Sequence, residues 1–226
     1  MRGKLVGTCV LSLSLCLIAP CYAGLIVASG AGSTPGTAED LTGLFPTEIV
    51  GTLSGANPND VSMFKISNLD PTNFSAITVA AGAFGIPDTV LTLFDSAGVG
   101  IYLNDDISGS NTLSCLTSAG PGNPCPLSGA VLAAGFYYLA ISRGANYPVD
   151  GSNAEIFNSV SSTDLVGPSS SNPVDGWDDG SFTSPDTDLI NYDILLTGTG
   201  GTVPEPATWL LTAGAGLVFG LLRRRR

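Results

Sequence analysis

The chain has 226 residues, a formal net charge of −11 and no histidine, which removes the commonest general base and transition-metal ligand and with them Ser-His-Asp and Cys-His catalysis. That length suits one ordinary domain with short segments at its ends. Residues 24–202 hold 18 acids against 2 bases, Lys65 and Arg143, a formal charge of −16 that repels phosphate backbones and excludes nucleic acid as a partner.

In chain order, Arg2 and Lys4 precede an uncharged apolar run over residues 5–19, and Pro20 ends it. Cys21-Tyr22-Ala23 then places small residues at the −3 and −1 positions. Charge, core and junction together predict a secretory signal peptide over 1–23, cut by signal peptidase between Ala23 and Gly24. The run is short for a membrane-spanning helix, and Pro20 before Cys21 fits poorly with lipidation. Cys9, Cys16 and Cys21 leave with the leader. Cys115 and Cys125 remain, and in an oxidising compartment they are expected to form a disulfide across a short Gly/Pro-rich loop. A two-cysteine metal site would lack further Cys or His ligands.

Residues 24–197 read as an all-β body, because no dozen residues keep a helical apolar stripe while short alternating runs recur. Predicted strands cover 61–66, with Phe64 and Ile66 on one face, then 74–79, and 89–94 with Leu91 and Leu93 aligned. Asp95-Ser96-Ala97-Gly98 has the composition of a turn, after which Val99, Ile101 and Leu103 resume the alternation. Strands at 136–142 and 192–197 follow, and 48–53 is expected at a sheet edge. Short strands separated by turn signals favour an antiparallel β-sandwich, jelly-roll-like in class. No internal repeat points to a propeller or solenoid. Residues 108–128 form a loop around the cysteine pair. The polar stretch 144–188 is too long for an ordinary loop: it wraps the sandwich, hides a strand around 154–160, or is partly disordered. Residues 198–202 are read as a flexible linker.

Several stretches in this body resemble the bacterial pre-peptidase C-terminal domain. They are Asn59-Asp60-Val61, Asp88-Thr89 through Asp95-x-x-Gly98, Asn104-Asp105-Asp106, and Ala134-Gly135-Phe136-Tyr137-Tyr138. The resemblance implies a small non-catalytic β-sandwich accessory module, some of whose members bind calcium or polymers. Unlike those modules, this body is expected to stand alone, with no protease before it. Calcium prefers several oxygen ligands on a turn. Asn104, Asp105 and Asp106 supply them in a loop after a strand, and the resemblance brings Asp60 to the same end of the sandwich. Solvated turn residues are the plainer reading of the same pattern. A second acid-rich loop, at 175–180, matches no EF-hand spacing either.

The last segment has three parts. Val203-Pro204-Glu205-Pro206 is rigid and cannot join a helix. An uncharged stretch from Ala207 to Leu222 spans roughly 24 Å as a helix, a little under the ~30 Å hydrocarbon core. Arg223, Arg224, Arg225 and Arg226 close the chain as a cytoplasmic stop. This order resembles the PEP-CTERM sorting domain over residues 203–226. The resemblance implies processing by an exosortase, transient residence in the inner membrane of a Gram-negative bacterium, and delivery to the cell surface or matrix. It further implies association with extracellular polysaccharide and biofilm.

Together these readings predict an exported, non-catalytic surface or matrix protein. A carbohydrate-binding module stacking sugars on Tyr137, Tyr138, Tyr147 or Trp177 is one alternative, and a secreted hydrolase using paired carboxylates is another. Mass spectrometry of the secreted protein is expected to find Gly24 at the N-terminus and a Cys115–Cys125 disulfide. An intact leader on the exported protein would refute the cleavage reading.

Overall fold

The computed structural model describes residues 24–54, 57, 60–82, 88–117, 125, 129, 132–158, 163–178 and 189–200. The expected signal peptide, the 203–206 motif, the 207–222 stretch and the terminal arginines lie outside these residues. The described chain is all β, with twelve strands and no α-helix. They are β1 (Gly24–Val27), β2 (Glu39–Asp40), β3 (Pro46–Ser54), β4 (Ser62–Asn68), β5 (Ser75–Thr78) and β6 (Thr89–Phe94), then β7 (Gly100–Asn104), β8 (Cys115–Thr117), β9 (Gly135–Arg143), β10 (Pro148–Asp150), β11 (Val174–Trp177) and β12 (Leu189–Thr197).

Ten of these strands form two five-stranded sheets, ordered β1-β3-β12-β5-β8 and β2-β4-β9-β6-β7, and β10 pairs with β11 apart from both. One apolar core lies between the sheets. Ile49, Leu53, Ile190, Tyr192, Ile194 and Leu196 of the first face Phe64, Ile66, Leu91, Leu93, Leu139 and Ile141 of the second. Phe64 meets the Tyr192 ring edge-on at 6.4 Å.

The sheets are mixed, whereas the sequence reading expected antiparallel pairing throughout. β1 runs parallel to β3, and β2 parallel to β4. The cause is the route of the chain, which visits the sheets alternately from β1 to β6. Two successive visits to one sheet are separated by an excursion through the other, so the neighbours run the same way. β3 is likewise an interior strand and not an edge, because β1 covers its outer side. β1 begins at Gly24, where the sequence offered only a cleavage junction.

The second sheet is buried on both faces. All six residues of β6 are buried, and so are all of β4 except Lys65. Its outer face, with Met63, Val90, Phe94, Leu103 and Ala140, is covered by Ile156, Phe157 and Val174. These three come from the long polar stretch, which therefore wraps the sheet. It carries strands at β10 and β11, while of the strand expected around 154–160 the described residues show a single bridge, from Glu155 to Val149. Asp150 pins the wrap: its carboxylate accepts from Ser152 N at 2.9 Å, Ser152 Oγ at 2.6 Å, Ala154 N at 3.1 Å and Asn172 Nδ2 at 2.7 Å. The cysteine loop also contains a strand, β8, and Cys115 and Cys125 are bonded with their Cα atoms 5.8 Å apart.

The start of the expected linker is held down. The Gly198 carbonyl accepts from Leu69 N at 2.9 Å and Asp70 N at 3.0 Å. Thr199, 2% exposed, donates from Oγ1 to the Pro46 carbonyl at 2.6 Å. Gly198 has φ +76°, and a Cβ there would lie 2.7 Å from Phe74 Cα and 2.9 Å from the Asp70 carbonyl oxygen. Gly198→Ala is therefore expected to cost about 2–4 kcal/mol, from the left-handed backbone and the backbone clash. Gly36→Ala, whose Cβ would meet nothing within 4 Å, should change stability by less than about 0.5 kcal/mol. Urea unfolding of both variants checks the pair, and equal midpoints would refute the clamp.

Candidate metal centre

The β6–β7 hairpin sets the geometry of the acidic residues. Its register pairs Leu91 with Asn104, so Asp88, just before β6, reaches the level of Asp105 and Asp106, just after β7. Each of the three offers a carboxylate oxygen, and these oxygens lie within 4.8 Å of one another. Gly144 makes the approach feasible, since a Cβ there would sit 2.5 Å from the Asp88 carboxylate. Its N–H also donates to the Asp88 carbonyl at 3.2 Å.

Asp105 is the buried member, 9% exposed. Its Oδ2 accepts from the Tyr147 hydroxyl at 3.0 Å, while its Oδ1 is buried with no hydrogen-bond partner. Such an oxygen costs free energy unless a donor or a cation meets it. Burial pushes the Asp105 carboxyl up to about 6; Asp88 and Asp106 add to the rise and the Tyr147 bond opposes it. The Asp88 carboxyl is raised as well, by burial and then Asp106, against the lowering pull of Arg143. Burial, followed by the Asp105 charge, raises the Tyr147 phenol.

Buried hydroxyls fix the backbone beneath the acids. Thr78 Oγ1 and Thr89 Oγ1 lie 2.9 Å apart, as do Thr89 Oγ1 and Ser114 Oγ. Ser114 Oγ donates to the Asp105 carbonyl at 2.7 Å. Tyr147 is held from behind, its N–H donating to Asp178 Oδ1 at 2.7 Å. Three carboxylates converging on one point suit a hard, oxygen-seeking cation.

Of the four ligands expected from the sequence, the structure brings together Asp105 and Asp106. Asn104 is a clamp instead. Its Nδ2 donates to the Asp106 carbonyl at 2.9 Å and the Asp164 carbonyl at 3.1 Å, and its Oδ1 accepts from Cys115 N at 2.8 Å. Asp60 is elsewhere: β9 and β6 separate its strand from β7, roughly 14 Å at the usual strand spacing, and its carboxylate accepts from Ser54 N. Asp88 was missed as a ligand. Counting back from the Asp95–Gly98 turn would have brought it to the Asp105–Asp106 end of the hairpin, although the register shift at Leu93/Phe94 sets it opposite residue 107.

The second acid-rich loop does not form a comparable group among the described residues. Asp175 and Trp177 lie in β11, and Asp178 is spent on Tyr147. The aromatic residues are mostly engaged too. Tyr137 is 8% exposed and donates to the Ala133 carbonyl at 2.8 Å. Trp177 packs edge-on against Phe94 at 6.4 Å and donates to the Ser33 carbonyl at 2.7 Å.

Because its folded-state pKa of about 6 exceeds the ordinary carboxyl value, Asp105 favours folding only while protonated. Its contribution is complete below about pH 4 and disappears as pH rises through about 6, a swing on the order of 2–3 kcal/mol. Melts in chelator are expected to show this fall, and Asp105→Asn, which keeps an acceptor for Tyr147, should flatten it. An unchanged pH profile in the variant would refute the assignment.

Among known proteins, residues 202–226 match the family model of the PEP-CTERM protein-sorting motif. No curated protein matches the chain. The matched segment contains Val203-Pro204-Glu205-Pro206, the apolar stretch and the arginine run, so the chain is an exported protein with a membrane-anchored PEP-CTERM sorting tail, of the kind handled by exosortases.

Proposed function

We propose that this protein is a non-catalytic component of the cell surface or extracellular matrix of a Gram-negative bacterium, structural or binding in an exopolysaccharide or biofilm setting. The observation that carries the reading is the sorting motif at 202–226. A body with 18 acids against 2 bases and no histidine supports it, being well suited to hydration and cations and poorly suited to general-base catalysis. Signal peptidase acts at Ala23–Gly24 and an exosortase at the tail. Fractionation of cells, matrix and medium tests the proposal. The processed body is expected in the surface or matrix fraction, and a variant lacking residues 203–226 should move to the periplasm or medium. Full-length protein held in the cytoplasm would overturn it.

In this reading Asp88, Asp105 and Asp106 hold a structural calcium ion. The buried, unpartnered Asp105 Oδ1 supports this, because a cation would satisfy it and relieve the repulsion among three like charges. At millimolar calcium the melting temperature at pH 7 is expected to rise, by an amount equivalent to about 3–4 kcal/mol if the concentration is 100–1,000 times Kd. Asp105→Asn and Asp88→Asn should both lose that rise. An equal rise in either variant would place the ion elsewhere. The hydrolase alternative would use the same carboxylates, and polysaccharide turnover abolished by Asp105→Asn would favour it over the non-catalytic reading.

A further inference from the structure

The two ends of the sandwich are not alike. At one end lie the start of β6 and the end of β7, with the Asp88, Asp105 and Asp106 group. At the other lie the ends of β4 and β12, joined through Leu69, Asp70 and Gly198. The described chain ends there at Gly200, on its way to the sorting tail. Gly24, the expected first residue of the mature chain, is at the same end, paired with Pro46.

Exposed large apolar side chains gather at this second end. Leu44 is 47% exposed, Leu69 45% and Phe136 52%. Leu44 precedes Pro46, whose carbonyl Thr199 binds. Leu69 binds Gly198, and Phe136 pairs with Ser67 beside it in the sheet. Leu25 at 55% and Leu195 at 43% flank Glu48 one step further from the end. Among the described residues, Val27 is the only other exposed large hydrophobic, and it lies at mid-height opposite Val50. Lys65 Nζ lies 5.3 Å from the Phe136 ring centroid.

We infer that this end of the sandwich, through Leu44, Leu69 and Phe136, rests on the lipid bilayer while the tail is anchored. The inference relies on the membrane-anchored tail and not on the matrix role or the calcium site. Tether length selects lipid as the occupant. From Gly200 to Ala207, where the apolar tail begins, the chain can extend at most about 25 Å. That leash keeps the apolar end at a high effective concentration against the bilayer, whatever the protein's abundance. Exposed leucine and phenylalanine suit the apolar side of the headgroup boundary. The acidic body gains nothing from anionic headgroups, so contact rests on apolar burial. The acidic group then sits at the end away from the membrane.

The test uses the full mature chain, tail included, in phosphatidylcholine vesicles that carry a photoreactive diazirine phosphatidylcholine. Peptides containing Leu44, Leu69 and Phe136 are expected to take up lipid about tenfold more than those containing Asp88 and Asp105. The double variant Leu69→Asp, Phe136→Asp changes only exposed side chains. It should lose that labelling about tenfold while the 207–222 stretch stays labelled. Even labelling of both ends, or a labelled tail with an unlabelled body, would overturn the inference. Protein–protein adducts through Phe136 in place of lipid adducts would also overturn it, assigning the face to a second copy. An unlabelled tail would remove the tether itself, a failure distinct from the other three.

Discussion

The two-faced burial of the β2-β4-β9-β6-β7 sheet is the constraint on which the rest of the structure depends. A sheet in a simple sandwich buries one face and shows water the other. Here β6 is buried along its whole length, with Leu91 and Leu93 in the inter-sheet core and Val90 and Phe94 under a second layer. That second layer comes from a stretch whose composition is mostly polar. Phe157 and Ile156 are fully buried, each supplying about 1.5–3 kcal/mol of apolar burial. Hydrogen bonds to Asp150 hold the stretch in a shape that delivers them.

The wrap also supplies Tyr147, and through Tyr147 it reaches the acidic group. One carboxylate oxygen of Asp105 is satisfied from the wrap and the other is left without a partner. Beneath it, the Thr78, Thr89 and Ser114 hydroxyls tie β5, β6 and the loop before β8 together. The backbone of the group is therefore rigid while its charges repel. Such an arrangement is costly alone and favourable once a cation sits among the carboxylates. On the proposed calcium reading, the group's effect on stability depends on both pH and the ion.

The body is polar along its long axis. Gly24 and Gly200 lie at one end, with exposed Leu44, Leu69 and Phe136, and the Asp88, Asp105 and Asp106 group lies at the other. The Gly198 clamp matters for this arrangement, because it fixes the point from which the chain departs. A tail joined through a free linker would not orient the body, whereas one leaving from a clamped residue can.

How much of this was legible in the sequence depended on the range of the interaction. Strands 89–94 and 136–142 were read almost to the residue, because alternation and turn composition are local properties and β6 and β9 obey them. The Cys115–Cys125 bridge was legible because no other pair remained in the body. The sorting tail was the clearest signal, since its motif, apolar run and arginines are contiguous and need no partner. Missed features all depend on distant neighbours. β1 became a strand because β3 offered an edge beside it. Wrapping the sandwich was one of three readings open for residues 144–188; that the wrap forms a core layer follows from a second apolar face that needed covering, a demand invisible within those residues themselves. Asn104 carries the same side chain whether it binds a cation or clamps Cys115, and only the fold decides which. Asp88 joined Asp105 through hairpin register, and Asp60 was kept away by two intervening strands. By itself the sequence determined the strand pattern, the charge and the address; tertiary structure alone decided which acids meet and which end of the body faces the tail, because both follow from strand order across two sheets.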